Sequence, residues 1–158
     1  MKAASVNEIK QELKKLNATE LIEICQRLAR FKKENKELLT FLLFEAHDLE
    51  NYINSVKEEI DEGFTQVNLS SVHFAKKTLR KILRICNKHI RYTGSKTAEV
   101  EILLRYVTNF KGLKLSWSKS TALTNLYKSQ LKKIEISIAT MHEDLQHDYL
   151  KDLRRLEV

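Results

Sequence analysis

Apolar residues recur at steps of three or four positions along nearly the whole chain, the spacing that places them on one face of a helix. Strict alternation, which would indicate a strand, occurs only in segment 113–119 and is too short to predict one. The pattern predicts seven helices, at about 5–16, 18–31, 35–46, 48–62, 70–92, 96–111 and 119–156.

The composition favours an all-α fold. The 158 residues include three glycines and no proline, whereas sheets and long loops need many turn residues. Gly63, Gly94 and Gly112 each follow a helical stretch, where a left-handed C-terminal cap is expected. We therefore predict one helical domain over 1–158, arranged as a compact multi-helix bundle or a short α-solenoid.

Capping residues predict where several helices begin. Ser5 with Glu8, and Asn17 with Glu20, have the spacing of a capping box, in which each residue bonds the other's backbone N–H. Ser95 and either Ser118 or Ser120 are expected to cap two later helices, because a serine hydroxyl accepts from the first turn.

The last predicted helix, 119–156, is longer than most helices of globular proteins. Its apolar positions are Leu131, Ile134, Ile138, Met141, Leu145, Tyr149, Leu153 and Leu156. Three arrangements fit this pattern: a break near Thr140, one long helix that braces the others, or a coiled-coil homodimer through this C-terminal helix. The tyrosine at 149 disfavours the coiled coil, whose seam prefers Leu and Ile.

Residues 21–43 align without a gap on 82–104. The identical pairs are Ile24/Ile85, Cys25/Cys86, Arg30/Arg91, Leu42/Leu103 and Leu43/Leu104. Amphipathic helices resemble one another by chance, but the shared Ile-Cys and Arg-aromatic pairs go beyond apolar spacing. We predict an internal repeat of two stacked helical hairpins, similar in style to HEAT-type helical repeat proteins in helix pairing and length alone. Both cysteines are interpreted as core residues in a reducing compartment.

The positive charge is concentrated in one segment. The net charge is +7, and residues 63–98 hold eight bases and no acid. On helix 70–92 the bases fall opposite the apolar positions, in a ladder roughly 21 Å long at 1.5 Å of rise per residue. We call this surface the basic face; its residues are Lys77, Arg80, Lys81, Arg84, Lys88 and Arg91. In the first copy of the repeat, Glu20 and Glu23 stand where Lys81 and Arg84 stand in the second.

Three interpretations of the basic face compete. It binds a polyanion, above all nucleic acid; it binds an acidic protein; or it is solvated or pairs with the acidic segment 45–62 of the same chain, which holds seven acids and one lysine. An anionic membrane fits poorly, since the opposite face is needed for the core. Only Phe74 and Tyr92 flank the face, so base stacking is not predicted and any nucleic-acid binding would be driven by the backbone.

No motif predicts catalysis. His142 and His147 are five residues apart and point away from each other on a helix, so we expect no metal site. Phosphate loops and nucleophile elbows are absent from the sequence. The longest apolar run, 41–44, is far too short to span a membrane, and the charged N-terminus does not resemble a signal peptide. Trp117 is expected to anchor the connection around it in the core.

Together these features predict a soluble, cytoplasmic, non-enzymatic module that binds or scaffolds an unknown protein or nucleic-acid partner and needs no cofactor. The alternative is a nucleic-acid-binding protein that uses the basic face of helix 70–92.

Overall fold

The computed structural model describes residues 1–157, and these residues form helices without a single strand. The α-helices are α1 Val6–Leu13, α2 Ala18–Phe31, α3 Lys33–Thr40, α4 Leu49–Thr65, α5 Val72–Thr93, α6 Lys96–Lys111, α7 Thr121–Ile138 and α8 Glu143–Arg154. A π-helical turn, Phe41–Glu45, follows α3, and a 3-10 turn, Trp117–Lys119, precedes α7. The all-α prediction is confirmed.

The contacts within the chain divide it into two compact units, Met1–Phe44 and the segment that starts at Glu45. The predicted repeat copies fall in different units, 21–43 in the first and 82–104 in the second. Each copy forms a helix, a turn and a second helix. This shared order of elements does not test the internal repeat or the single domain, and both stay predictions.

Local capping organises the first unit as predicted. Ser5 Oγ accepts from the Glu8 backbone N–H at 3.3 Å, and the Glu8 carboxylate accepts from the Ser5 N–H at 2.7 Å. Asn17 and Glu20 form the second capping box, at 3.0 and 2.8 Å. Each box satisfies backbone donors that the first turn leaves without a partner, which is why α1 and α2 begin at these residues.

The helices of the first unit bury little apolar surface. α2 packs against α3, and the Asn35 side-chain amide donates to the Leu28 carbonyl at 2.9 Å. No residue of α1, α2 or α3 is buried. Cys25 is exposed, so its prediction as a core residue is wrong, whereas Cys86 is fully buried as predicted. Two helices of eight residues and one of fourteen are too short to enclose the position of Cys25.

The second unit is built around α6, which packs against α4, α5 and α7. The buried residues of α6 cover about 200° of its circumference at 100° per residue: Ala98, Glu99, Val100, Ile102, Leu103, Tyr106, Val107 and Phe110. A buried face this wide exceeds what one neighbouring helix can cover, and α4, α5 and α7 cover it together.

An aromatic cluster closes one end of this core. Phe110 makes edge-to-face contacts with Tyr106, Trp117 and Tyr127, with ring centroids 6.0, 5.3 and 5.3 Å away. Tyr106 donates its hydroxyl to the Leu79 carbonyl at 3.1 Å, which satisfies the polar end of a buried ring. Trp117 is buried, so its predicted role as a core anchor is confirmed.

The three glycines differ in role. Gly94 ends α5 with φ +59°, and its N–H donates to the Ile90 carbonyl at 3.1 Å, so the predicted left-handed cap is confirmed. Gly112 follows α6 in a right-handed conformation, φ −74°, so the left-handed cap predicted there is wrong. Gly63 lies inside α4 rather than after it; a Cβ there would come within 3.0 Å of Ile82 Cγ1, so the position serves the close approach of α4 and α5.

The C-terminal helix breaks near Thr140, one of the three predicted arrangements. α7 ends at Ile138 and α8 begins at Glu143, and His142 Nδ1 accepts from the Asp144 N–H at 3.4 Å. The apolar positions Ile134, Ile138, Leu153 and Leu156 are buried in the second unit. Few apolar residues of the C-terminal helices therefore remain to form a coiled-coil seam. A homodimer through this segment stays a prediction.

Candidate nucleic-acid interface

The basic face lies on α5, as the sequence pattern predicts. Ser71 caps the helix by accepting from the Phe74 N–H at 3.3 Å. The core side of α5 consists of Ala75, Leu79, Ile82 and Cys86, all buried. The residues of the basic face are exposed, except Lys88, which is half-buried.

Most cations of the basic face have no partner within the chain. Across residues 1–157, the side chains of Lys77, Arg80, Lys81, Arg84 and Arg91 form no ion pair and no hydrogen bond. Exposed like charges on one helix repel each other, and no neighbouring acid offsets that repulsion here. An external anion would supply the missing counter-charge.

The paired acids of segment 45–62 contact residues outside the basic face. Asp61 accepts from Arg105 Nε and from the Asn109 amide, each at 2.7 Å, and the Arg105 guanidinium lowers the pKa of Asp61. Glu59 lies 3.0 Å from His89 Nε2, and His89 Nδ1 lies 2.7 Å from the Tyr52 hydroxyl. These contacts join α4 to α6 and to the far end of α5. The internal pairing that the sequence left open therefore does not involve the five cations without partners.

A groove of about 600 Å³ runs beside α5 and faces α7. We call it the basic groove; it is lined by His73, Lys76, Lys77, Arg80, Leu83, Arg84, Asn87 and Leu126. Four of these residues are cations and none is an acid. Leu83 and Leu126 are half-buried and pack against the core, so they give the groove an apolar floor.

Hydrogen-bond donors dominate the polar lining. Lys133 Nζ donates to Asn87 Oδ1 at 3.0 Å, which occupies the acceptor of that amide and leaves its NH₂ group for another partner. Lys133 also pairs with Glu99 Oε1 at 3.3 Å. A lining of ammonium, guanidinium and amide N–H groups matches a ligand rich in anionic oxygens.

Sequence reasoning missed five residues of the basic groove: His73, Lys76, Leu83, Asn87 and Leu126. A signal for the first four exists, because positions 73, 76, 80, 83 and 87 are three or four residues apart and share one side of a helix. Leu126 reaches the groove through the placement of α7, which periodicity does not report.

A second cleft, of about 450 Å³, lies between α4, α6 and α8 and mixes both charge signs. Lys57 Nζ lies 2.5 Å from Glu101 Oε2, and Tyr149 donates to the other oxygen at 3.0 Å. Burial, together with the adjacent Glu101 carboxylate, raises the pKa of Tyr149 to about 12, so its hydroxyl remains a donor even at alkaline pH. The charged groups satisfy one another, and we assign this cleft a structural role.

Residues 1–157 contain neither a metal-binding cluster nor a membrane-spanning helix. No cluster of three or more His, Cys, Asp or Glu residues is arranged to hold a metal ion. None of the helices combines the length and apolar character needed to cross a lipid bilayer.

The chain was also compared with models of known protein families, with curated proteins and with solved structures. None of the three comparisons found a match. The function of this chain therefore has to be argued from its own residues.

Proposed function

We propose that this chain is a non-enzymatic binding module that holds a polyanion on the basic face of α5, and that the polyanion is nucleic acid. The observation that carries the proposal is the row of exposed cations on α5 that pair with no acid of residues 1–157. The predicted cytoplasmic location is retained as part of the proposal.

The physical basis is counterion release. Each phosphate neutralised by a lysine or arginine frees condensed cations, so the observed affinity falls steeply as salt rises. Contacts to phosphates position a protein on nucleic acid but carry no sequence information. We therefore expect binding with weak sequence preference.

The proposal is tested by fluorescence anisotropy with labelled single-stranded and duplex DNA and RNA, between about 50 and 200 mM salt. The affinity should fall with salt, and the Lys77→Gln/Lys81→Gln/Arg84→Gln variant should bind more weakly with a flatter dependence. Each lost phosphate contact removes about 0.7–0.9 from the slope of log K against log salt. Circular dichroism would confirm that the variant remains folded.

A matched control is the Lys114→Gln/Lys119→Gln/Lys151→Gln variant, which removes the same charge from exposed lysines outside α5. Its salt dependence should stay close to that of the unchanged protein. Absence of binding at low salt, or equal losses in the two triple variants, would contradict the proposal.

A second candidate function, scaffolding by self-association, is favoured by the first unit. Ile22, Leu28 and Phe31 of α2 are 57%, 55% and 76% exposed, which is unusual for large apolar side chains on one helix. The polar side of α2 carries Glu20 and Glu23 in its first half and Arg27 and Arg30 in its second. Two-fold symmetry can pair α2 with the α2 of a second copy in antiparallel orientation, so that the acidic half of one helix lies beside the basic half of the other.

Sedimentation velocity over a range of protein concentrations tests this second candidate. The mass should approach that of a dimer as concentration rises, and Leu28→Ser/Phe31→Ser should shift the equilibrium to monomer. Ile136→Ser/Leu145→Ser, which alters exposed apolar residues of the second unit, is the control and should leave the mass unchanged. A monomer at every concentration would exclude self-association.

A further inference from the structure

We infer that the basic groove beside α5 holds a single strand of nucleic acid, with phosphates on its cations and a base against its leucine floor. The inference rests on the proposed function and adds the form of the nucleic acid and the path of the strand. Two features carry it: the linear order of the charges and the apolar floor beneath them.

The cations of the groove are arranged in a line. Lys76 and Lys77 share one turn of α5, and Arg80 and Arg84 lie on the next two turns, so the four cations do not converge on one point. A compact anion would reach one or two of them, whereas an extended polyanion would reach all four. The lining spans positions 73 to 87, roughly 21 Å of helix at 1.5 Å per residue.

The apolar floor of the groove favours one strand over two. The groove is an open depression of about 600 Å³ along α5, with Leu83 and Leu126 beneath its cations. A duplex keeps its bases paired and stacked inside the double helix, so it reaches the cations with its phosphates and leaves the two leucines uncovered.

The floor gives a single strand what a duplex cannot offer. Bases of a single strand are free to turn toward the protein, and their flat apolar faces can cover Leu83 and Leu126. The NH₂ group of Asn87, one helical turn after Leu83, is a hydrogen-bond donor that suits a base carbonyl or a sugar oxygen.

Two matched double variants distinguish binding by the cations of the groove from binding by the other exposed cations of α5. Lys76→Gln/Arg80→Gln changes cations that line the groove, and Lys81→Gln/Arg91→Gln changes exposed cations of α5 that do not. Both variants lose two positive charges on the same helix. Twelve-nucleotide oligothymidine, oligouridine and a twelve-base-pair duplex are the probes, measured over a salt series, and thermal melting confirms that each variant folds.

For both single strands, the unchanged protein should show a slope near −3, from about 0.7 per phosphate and four contacts. The groove variant should halve that slope and lower affinity about 20-fold near 0.1 M salt, whereas the outward variant should lower it less than about threefold. The duplex should bind more weakly than either single strand. Leu126→Gln should lower single-strand affinity without changing the slope, because it removes no phosphate contact.

The outcomes distinguish this inference from the proposed function. If no nucleic acid binds at low salt, both are overturned. If nucleic acid binds but the outward variant loses as much as the groove variant, or the duplex binds more tightly, only the groove inference is overturned.

Discussion

Replacing Phe110 by alanine is expected to lower the free energy of unfolding of the second unit by about 3–5 kcal/mol. Phe110 is fully buried, and its ring contacts the rings of Tyr106, Trp117 and Tyr127. The substitution removes the transfer free energy of the ring and leaves a cavity that three rigid aromatic neighbours cannot fill by small shifts.

Urea unfolding followed by tryptophan fluorescence measures this change. Trp117 is the only tryptophan of the chain and is buried in the second unit, so its signal reports the unfolding of that unit. Phe74→Ala is the matched control, because Phe74 is 52% exposed, and it should change the free energy of unfolding by less than about 0.5 kcal/mol. A similar decrease in the free energy of unfolding in both variants would show that the aromatic cluster does not stabilise the core more than an exposed ring does.

Replacing Glu99 by glutamine is expected to lower the free energy of unfolding by about 2 kcal/mol at neutral pH, the scale of hydrogen bonds to a charged group. Glu99 is 7% exposed; Lys96 Nζ and the Ser137 hydroxyl bond its Oε2, each at 2.9 Å, and Lys133 Nζ lies 3.3 Å from Oε1. The expected loss is smaller than for a fully buried ion pair, because Lys96 and Lys133 are 59% and 41% exposed and remain partly solvated.

The effect of Glu99→Gln should depend on pH in a defined direction. Burial alone would raise the pKa of Glu99, but the bonds from Lys96, Ser137 and Lys133 outweigh it and hold the pKa below its ordinary value of 4.5. Such a group stabilises the fold fully above the pKa of the unfolded chain, and that stabilisation is lost as pH falls through the folded pKa. The difference between the two proteins should therefore be largest at neutral pH and shrink below about pH 4.5.

Urea unfolding at a series of pH values measures that difference directly. Glu135→Gln removes an exposed acid from α7 and should change the free energy of unfolding by less than about 0.5 kcal/mol. A difference for Glu99→Gln that stays constant down to strongly acidic pH would contradict the assigned role of the carboxylate. The site also bears on binding, because Lys133 bridges Glu99 to Asn87 in the basic groove.

Features set by neighbouring residues in the sequence were predictable. The capping boxes at Ser5 and Asn17, and the caps at Ser95 and Ser120, form as predicted because donor and acceptor are three residues apart. The left-handed cap at Gly94 follows from the same local logic. The placement of the basic face opposite the core follows from helical periodicity alone.

Features set by distant contacts were not predictable in this way. Gly63 was expected to end a helix, but it lies inside α4, where only its lack of a side chain lets Ile82 approach. The basic groove was missed because one of its walls, Leu126, belongs to a helix nearly forty positions further along the chain. Its volume exists only after α5 and α7 are both packed against α6.

α2 and α5, which both contain an Ile-Cys pair, show the difference between what the sequence and what the tertiary structure determines. Their apolar spacing and their charges belong to the sequence, and these sufficed to predict two amphipathic helices, one with balanced charge and one wholly basic. Burial depends on neighbours: Cys86 is enclosed by the core around α6, and Cys25, at the matching position of α2, is exposed. Periodicity specifies which side of a helix is apolar, but the surface that covers it comes from residues far away in the chain.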